Sequence, residues 1–167
     1  YYEANQSPRS AGGYFVQSWD TAIKTSMNSD YSGCSTWLVT PENYYYLVDI
    51  TRQKLSYPQL KNTILSMYSK FQPRYLLIED KASGQSIIQD LSLSNIAGIK
   101  PIRPKFDKIT RFASVVNMFA QGQVLLPRKT KFSKVMLDEL TNFPKTKHDD
   151  IVDSISQFLS FIKHHSQ

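Results

Sequence analysis

Cysteine and long hydrophobic runs are both scarce in this sequence of 167 residues. The single Cys34 excludes an internal disulfide framework and a cysteine-rich zinc site, and we expect it to be a small core residue. Apolar runs such as Tyr75–Ile78 are far shorter than the roughly 20 residues that span a bilayer. No basic-then-apolar signal begins the chain, so we expect neither a membrane partner nor secretion.

Length and composition indicate one folded domain. A chain of 167 residues suits one ordinary domain and is too short for two large ones. Hydrophobic residues make up 41% and charged residues 20%, which is enough apolar material to bury a core. The first residues are polar and have the composition of a loop. We therefore predict a linker remnant at residues 1–12 and a folded domain at residues 13–167.

Basic residues are unevenly distributed along the chain. The formal net charge is +6, yet the stretch Lys100–Lys147 contains eleven basic residues and only three acidic ones. Such a concentration is typical of a surface that faces phosphates. A solvated lysine-rich face has the same composition, and charge alone does not distinguish the two.

The first part of the chain predicts an antiparallel meander of three strands. Residues 14–19, 34–39 and 44–50 are rich in β-branched and aromatic residues. The short turn Pro41–Asn43 joins the second and third of these strands into a hairpin.

Helices and strands alternate after residue 56. Apolar residues at helical spacing predict helices at residues 57–71, 83–93, 107–121, 131–143 and 148–164. Short apolar runs predict buried strands at residues 75–78, 99–102 and 124–126. We therefore predict an α/β fold with a mixed sheet, in which parallel strands extend the meander and helices cover both faces.

Acidic residues stand where three of the predicted elements end or begin. Asp20 closes the first strand, and Glu79 and Asp80 follow the buried strand at residues 75–78. If these strands are neighbours, their carboxyl ends meet at one edge of the sheet, where open α/β sheets bind ligands. The last helix begins with three further acids, Asp149, Asp150 and Asp153.

Clustered carboxylates are the ligands that hard divalent cations prefer. Asp150 and Asp153 are three residues apart and are expected to share one helix face, whereas Asp149 points about 100° away from Asp150. One of the pair Asp149 and Asp150 is therefore expected to face the site. Capping of the helix N-terminus explains an aspartate there equally well, so the residues alone leave both interpretations open.

Three segments resemble the C-terminal nuclease domain of the large terminase subunit of tailed bacteriophages and prophages. They are SWDTAIKTSMNSDYSG (Ser18–Gly33), YLLIEDKASGQSII (Tyr75–Ile88) and KHDDIVDSISQF (Lys147–Phe158). Their order and spacing also match, and the resemblance covers nearly all of the chain after Gly12. It implies a ribonuclease H-like fold, which agrees with the predicted order of strands and helices.

The resemblance also implies a chemistry and a set of site residues. It implies an endonuclease that cuts double-stranded DNA during genome packaging with Mg²⁺ or Mn²⁺, two ions in a two-metal mechanism. Asp20, Glu79 and Asp150 are the implied catalytic and metal-binding carboxylates, and Asp153 is a further metal ligand. The auxiliary candidates are Asp80, Asp149 and Asp30.

Partners and DNA contacts complete these expectations. The resemblance implies an ATPase motor domain in the same full-length protein, a small terminase subunit, a portal and a location in the cytoplasm of the bacterial host. This chain contains no G-x-x-x-x-G-K-[ST] segment that would form the motor's phosphate-binding loop. The basic stretch supplies the candidate phosphate contacts Arg103, Lys105, Lys108, Arg111, Arg128, Lys129 and Lys131.

Two other functions stay open at this point. A Holliday-junction resolvase or a transposase-like nuclease on the same fold would share the carboxylates and differ in the DNA shape that it prefers. A non-catalytic DNA-binding module would keep the basic stretch but has no need of clustered carboxylates.

Overall fold

The computed structural model describes residues 1–3, 12–23, 30–128, 130–146 and 148–165. Within these ranges the chain forms eight strands and five α-helices. The strands are β1 (Tyr2–Glu3), β2 (Tyr14–Asp20), β3 (Ser32–Val39), β4 (Tyr45–Gln53), β5 (Tyr75–Glu79), β6 (Ile99–Ile102), β7 (Val124–Leu125) and β8 (Pro127–Arg128). The helices are α1 (Tyr57–Phe71), α2 (Ser83–Ser92), α3 (Lys108–Ala120), α4 (Ser133–Asn142) and α5 (Asp150–His165).

Six of the strands form one mixed sheet with the order β6-β5-β2-β3-β4-β7. The pairs β2/β3 and β3/β4 are antiparallel, as the predicted meander requires. The pairs β2/β5, β5/β6 and β4/β7 are parallel. The prediction that the first strand lies beside the buried strand at residues 75–78 is therefore confirmed, and both strands end at the same edge of the sheet.

Helices cover both faces of this sheet, which confirms the predicted layers. Helices α1 and α2 pack on one face, where they bury Leu60 and Ile87 against Trp19. Helices α3, α4 and α5 pack on the other face, around Trp37 and Phe158, whose rings stack with centroids 4.5 Å apart. The alternation of side chains along the strands separates these two cores, because successive residues of a strand point to opposite faces. Cys34 is buried in the first core, as expected.

Local sequence signals account for the ends of several helices. Ser56 and Gln59 form a capping box at the start of α1, where Pro58 occupies the first turn. Asp107 caps α3 by accepting a hydrogen bond from the Thr110 backbone N–H. The predicted helix and strand bounds agree with the structure to within a few residues.

Two short strands, β1 and β8, were not predicted from the sequence. Tyr2–Glu3 pairs in parallel with β8, and the Tyr2 hydroxyl donates a hydrogen bond to the carbonyl of Leu47 over 2.6 Å. This start of the chain therefore packs on the domain, although its composition predicts a linker, and the domain boundary after residue 12 stays a prediction.

In the described ranges no helix is both long and apolar enough to cross a membrane.

Candidate metal centre

The carboxyl ends of β2 and β5 place two acidic residues side by side. Trp19 pairs with Ile78 in the parallel register, so the next residues, Asp20 and Glu79, are neighbours at the edge of the sheet. Both line an open cleft of about 720 Å³, together with Asp153 from α5. This cleft is called the carboxylate cleft below.

The start of α2 fastens these two strand ends together. Gly84 lies so close to the end of β5 that a β-carbon at this position would overlap the carbonyl oxygen of Glu79. The Ser83 hydroxyl donates a hydrogen bond to the Thr21 carbonyl over 3.1 Å, immediately after Asp20. The absence of a side chain at Gly84 therefore lets α2 dock on β5.

Hydrogen bonds attach α5 to β2 along the buried face. The Ser18 hydroxyl donates to the Ser154 carbonyl over 2.6 Å. The Gln157 side-chain amide donates to the Ser18 hydroxyl over 2.9 Å and to the Trp19 carbonyl over 3.1 Å. All of these side chains are buried, so the bonds are shielded from water. They hold the helix that carries Asp153 beside the strand that carries Asp20.

Lys108 lies among the carboxylates of the cleft. Its Nζ is 2.7 Å from Asp153 Oδ2 and 3.1 Å from both carboxylate oxygens of Asp149. The Asp153 side chain is only 8% exposed, whereas that of Lys108 is 50% exposed. The ammonium group therefore reaches from the open side of the cleft toward a buried carboxylate.

Asp150 points away from this cleft into a second, buried cluster. Its Oδ2 is 3.5 Å from Nε of Arg52 on β4, and an Arg52 terminal nitrogen is 3.3 Å from Glu139 Oε1. Glu139 in turn accepts hydrogen bonds from the backbone N–H groups of Ile151 and Val152 over 3.0 and 3.2 Å. Glu139 thus caps the N-terminus of α5, a role that the sequence left open for an aspartate of the helix itself.

The two aspartates that were expected to share a helix face have different ion-pair partners. Asp149 and Asp153 both meet Lys108, while Asp150 meets Arg52. Helix α5 begins in close contact with β3 at Gly33. A β-carbon at Gly33 would lie 2.9 Å from the carbonyl oxygen of Asp150. Asp150 contacts Arg52 inside the protein, and Asp153, about one turn later, lines the cleft.

Burial and repulsion between carboxylates disfavour the charged forms of Asp20 and Asp153. Burial raises the pKa of Asp20 well above its ordinary value, and the carboxylates of Asp153 and Glu79 raise it further. Asp150 adds a smaller effect of the same sign, and Lys108 opposes it. Burial likewise raises the pKa of Asp153, against the effect of Lys108.

The buried cluster behind the cleft shows the same effect. Burial raises the pKa of Asp150, although Arg52 opposes the shift. Burial, followed by repulsion from Asp150, raises the pKa of Glu139 to about 7.

The auxiliary candidates have different surroundings. Asp80 lines the carboxylate cleft. Its Oδ2 accepts a hydrogen bond from Arg103 Nε over 2.8 Å, which makes the two side chains an ion pair. Asp30 is exposed and does not line the cleft.

The candidate phosphate contacts divide into separate surfaces. Arg103, Lys105, Lys108 and Arg111 all line the carboxylate cleft. Lys131 lines a different cleft, next to Arg52 and Asp49, and Arg128 lies 3.9 Å from Glu3. Lys129 is outside the described residues. The structure thus brings four of the seven basic candidates to the acidic site.

Sequence reasoning did not identify the residues that support this site. Arg52 and Glu139 are 87 positions apart, and no local pattern predicts that they pair. Ser18 and Gln157 lie within the segments that carry the family resemblance, but nothing in either segment predicts their hydrogen bond. For Glu139, the one signal in the sequence was an acidic residue on a predicted amphipathic helix, and that signal does not indicate its partners.

The donor set of the cleft is made of carboxylate oxygens, the ligands that suit Mg²⁺ or Mn²⁺. In the described residues no three acidic, histidine or cysteine side chains already converge at metal-binding distance. Asp149, Asp150 and Asp153 are instead paired with Lys108 or Arg52. No ion pair joins Asp20 or Glu79 to a cationic side chain within the same ranges, which leaves a half-buried, repelling pair of carboxylates that a divalent cation would stabilise. The residues present therefore fit such an ion. The ammonium group of Lys108 would compete with the ion for the Asp153 carboxylate.

One protein family matches most of the chain. Residues 17–161 match the family described as the terminase RNaseH-like domain. No curated protein sequence matches the chain.

Solved structures share the fold at low sequence identity. The large terminase nuclease of the thermophilic phage G20c, with bound zinc, is 21% identical with a TM-score of 0.69, covering 89% of this chain and 81% of that one. The human cytomegalovirus terminase nuclease domain is 14% identical with a TM-score of 0.64, covering 96% and 88%. The Fowlpox virus resolvase in complex with Holliday junction DNA is 14% identical with a TM-score of 0.56, covering 92% and 99%. These similarities confirm the predicted ribonuclease H-like fold.

Proposed function

Because the chain belongs to the terminase RNaseH-like domain family, we propose that it is a divalent-metal-dependent endonuclease that hydrolyses double-stranded DNA during genome packaging. One observation carries the proposal: Asp20, Glu79 and Asp153 line a single cleft whose other charged residues are mostly basic. Carboxylates for metal and cations for phosphate are the two requirements of phosphodiester hydrolysis.

We assign the metal-binding role to the carboxylates that face this cleft. Asp20, Glu79 and Asp153 would hold the ions. Bound Mg²⁺ or Mn²⁺ would supply an activated water and stabilise the leaving oxygen. Structures of the G20c nuclease carry zinc, cobalt or magnesium, which supports a divalent cation here. The use of two ions remains part of the proposal.

The chain's own cations would position the DNA. Arg103, Lys105 and Arg111 line the cleft beside the carboxylates, where they can bind the phosphates that flank the reacting one. Contacts of this kind fix the register of the backbone and carry no sequence information. We therefore expect cleavage by the isolated domain to tolerate many sequences.

Because the chain belongs to the terminase RNaseH-like domain family, we propose duplex DNA as its substrate and not a four-way junction, although a resolvase shares the fold. A concatemeric viral genome as the natural substrate belongs to the same proposal. So do a motor domain, a small subunit and a portal as partners, and all of these follow from the family alone.

Plasmid cleavage tests the proposal directly. We expect the protein to nick and linearise supercoiled plasmid in Mn²⁺ or Mg²⁺ and to leave it intact in EDTA. Asp20→Asn and Asp153→Asn are expected to abolish cleavage, because each removes a carboxylate from the cleft. Asp30→Asn is the matched control, since Asp30 is exposed and outside the cleft.

Two outcomes would contradict the proposal. Wild-type rates in Asp20→Asn would remove the metal centre from this cleft. A strong preference for a four-way junction over linear duplex of the same length would favour a resolvase. Calorimetry with Mn²⁺ serves as a readout independent of cleavage, and Asp20→Asn is expected to weaken binding in that experiment.

A further inference from the structure

A second groove adjoins the carboxylate cleft and has a different character. It has a volume of about 630 Å³ and lies where the end of β6 meets α3 and α5. Apolar side chains line it, including Ile102, Phe106 and Phe161. Phe106 is 64% exposed, an unusual state for a phenylalanine. We call this groove the aromatic groove.

The charged groups around the aromatic groove are all basic. Arg103, Lys105, Arg111 and Lys163 line it, together with His164 and His165, and no acidic residue is among the described residues that do so. Lys163 donates a hydrogen bond to the Ser114 carbonyl over 3.2 Å, which attaches α5 to α3 at the groove. An occupant is therefore expected to combine negative charge with flat apolar surface.

The aromatic groove continues directly from the carboxylate cleft. Residues 103–106 and Arg111 line both. Arg111 stands at the junction, where its Nε is buried and has no hydrogen-bond partner among the described residues. A molecule that runs through the carboxylate cleft can thus extend into the groove without leaving the surface.

We propose that the aromatic groove binds unpaired nucleotides of the DNA strand that passes through the carboxylate cleft. A base would stack on Phe106, and its phosphates would contact Arg103, Lys105 and Arg111. This proposal rests on the proposed nuclease function and adds a preference for DNA that is frayed or single-stranded next to the cut.

The chemistry of the groove favours a single strand over other occupants. In an intact duplex the faces of the bases are stacked inside and cannot reach Phe106, so only unpaired nucleotides present a flat surface. Stacking of bases on aromatic side chains, beside cations that follow the backbone, is the general way in which proteins bind single strands. An acidic protein segment would satisfy the charges but leaves no reason for an exposed aromatic ring at the junction.

Binding measurements in EDTA test the proposal without cleavage. A labelled blunt duplex is compared with the same duplex carrying four unpaired nucleotides at its 3′ or 5′ end. We expect the protein to bind one of the tailed duplexes at least about fivefold more tightly than the blunt one, from one stacked base. A 2-aminopurine in that tail is expected to lose fluorescence on binding.

Variants of Phe106 connect this preference to the groove. Phe106→Ala is expected to remove the preference and the fluorescence loss, whereas Phe106→Trp should keep both. Leu93→Ala is the matched control, because Leu93 is also an exposed apolar residue, at 85%, and lies outside both clefts.

The outcomes distinguish this proposal from the one on which it rests. Equal affinity for blunt and tailed DNA, or a full preference in Phe106→Ala, overturns it. Displacement of the tail by a polyglutamate peptide, with no 2-aminopurine response to DNA, overturns it in favour of an acidic protein segment. Metal-dependent plasmid cleavage without a tail preference refutes this proposal alone, and a tail preference without cleavage refutes the nuclease function alone.

Discussion

At the scale of single residues, Lys108 occupies an unexpected position. Sequence reasoning placed it among the phosphate contacts, whereas in the structure its ammonium group pairs with Asp149 and Asp153. Burial by itself would lower the pKa of Lys108, but these two carboxylates outweigh it and raise the pKa. The amine is therefore charged at every physiological pH, and it neutralises one of the proposed metal ligands.

This pairing predicts competition between Lys108 and a divalent cation. Lys108→Met is expected to bind Mn²⁺ several-fold more tightly than the wild type, because the ammonium group no longer holds the Asp153 oxygens. In EDTA the same variant is expected to melt at a lower temperature, because Asp153 then lies buried without its partner. Calorimetry and thermal unfolding measure the two effects.

Lys105→Met provides the comparison for Lys108. Lys105 lines the same cleft, and in the described ranges no ion pair joins it to an acid. It is expected to leave Mn²⁺ affinity nearly unchanged. Equal Mn²⁺ affinity in Lys108→Met and the wild type would mean that the lysine does not compete for the site.

At the scale of elements, the N-terminus of α5 is held by a residue of α4. Glu139 accepts hydrogen bonds from two backbone N–H groups of α5 and contacts Arg52 of β4. Its pKa of about 7 shows that burial and Asp150 outweigh these favourable contacts. The folded chain thus retains the Glu139 proton at a pH where the unfolded chain has lost it.

The raised pKa of Glu139 predicts a stability that depends on pH. Since the folded pKa exceeds the ordinary value of 4.5, the contribution to stability is complete below about pH 4.5 and is lost as the pH rises through about 7. We expect Glu139→Gln to flatten this decline by at least about 1.4 kcal/mol, the equivalent of one pKa unit. Urea unfolding at pH 5 and pH 8 measures it, with exposed Asp138→Asn as the control on the same helix. Parallel declines in the wild type and Glu139→Gln would assign the pH dependence to other acids.

The docking of α2 on β5 makes a prediction about Gly84. Gly84→Ala places a β-carbon against the Glu79 carbonyl, so α2 has to move away from the strand. We expect a loss of at least about 2 kcal/mol in the free energy of unfolding, within the range of overpacked cores. Gly122→Ala is the control, because Gly122 has φ +75° and a β-carbon there would have no described atom within 4 Å. Its strain alone is expected to cost about 1 kcal/mol, and a similar cost at both positions would contradict the packing argument.

At the scale of the whole molecule, the basic residues form more than one surface. Arg103 and Lys105 lie at the carboxylate cleft, whereas Lys131 lines another cleft and Arg128 approaches Glu3. The described basic residues of this continuous stretch of sequence therefore lie on more than one surface of the fold. Among the basic residues that the structure describes, those at the carboxylate cleft adjoin the proposed metal ligands.

This separation predicts different effects on DNA binding. Replacing Arg103 and Lys105 together by alanine is expected to weaken duplex binding and to flatten the plot of log affinity against log salt by about 0.9 for each phosphate that is no longer neutralised. Replacing Arg128 and Lys131 together is expected to leave the slope nearly unchanged. Fluorescence anisotropy over a salt series in EDTA measures both. The reverse result would move the DNA path to the surface near Lys131.

Much of this architecture is determined by the sequence alone. Period-two and period-3.6 hydrophobic patterns specify the strands and helices, because each element has to turn its apolar side toward a core. Acids that follow apolar strands, such as Asp20 and Glu79, mark the edge of the sheet, because a buried strand cannot extend through a charged residue without a partner. The parallel pairing of those strands then brings the two acids together.

Only the tertiary structure decided which way the acids of α5 point. Helical spacing puts Asp150 and Asp153 on one face, but in the fold Asp150 contacts Arg52 and Asp153 lines the cleft. Arg52 and Glu139 join this cluster from distant parts of the chain. Contacts of this kind depend on how whole elements pack, and packing leaves no periodic signal in the sequence that would reveal them.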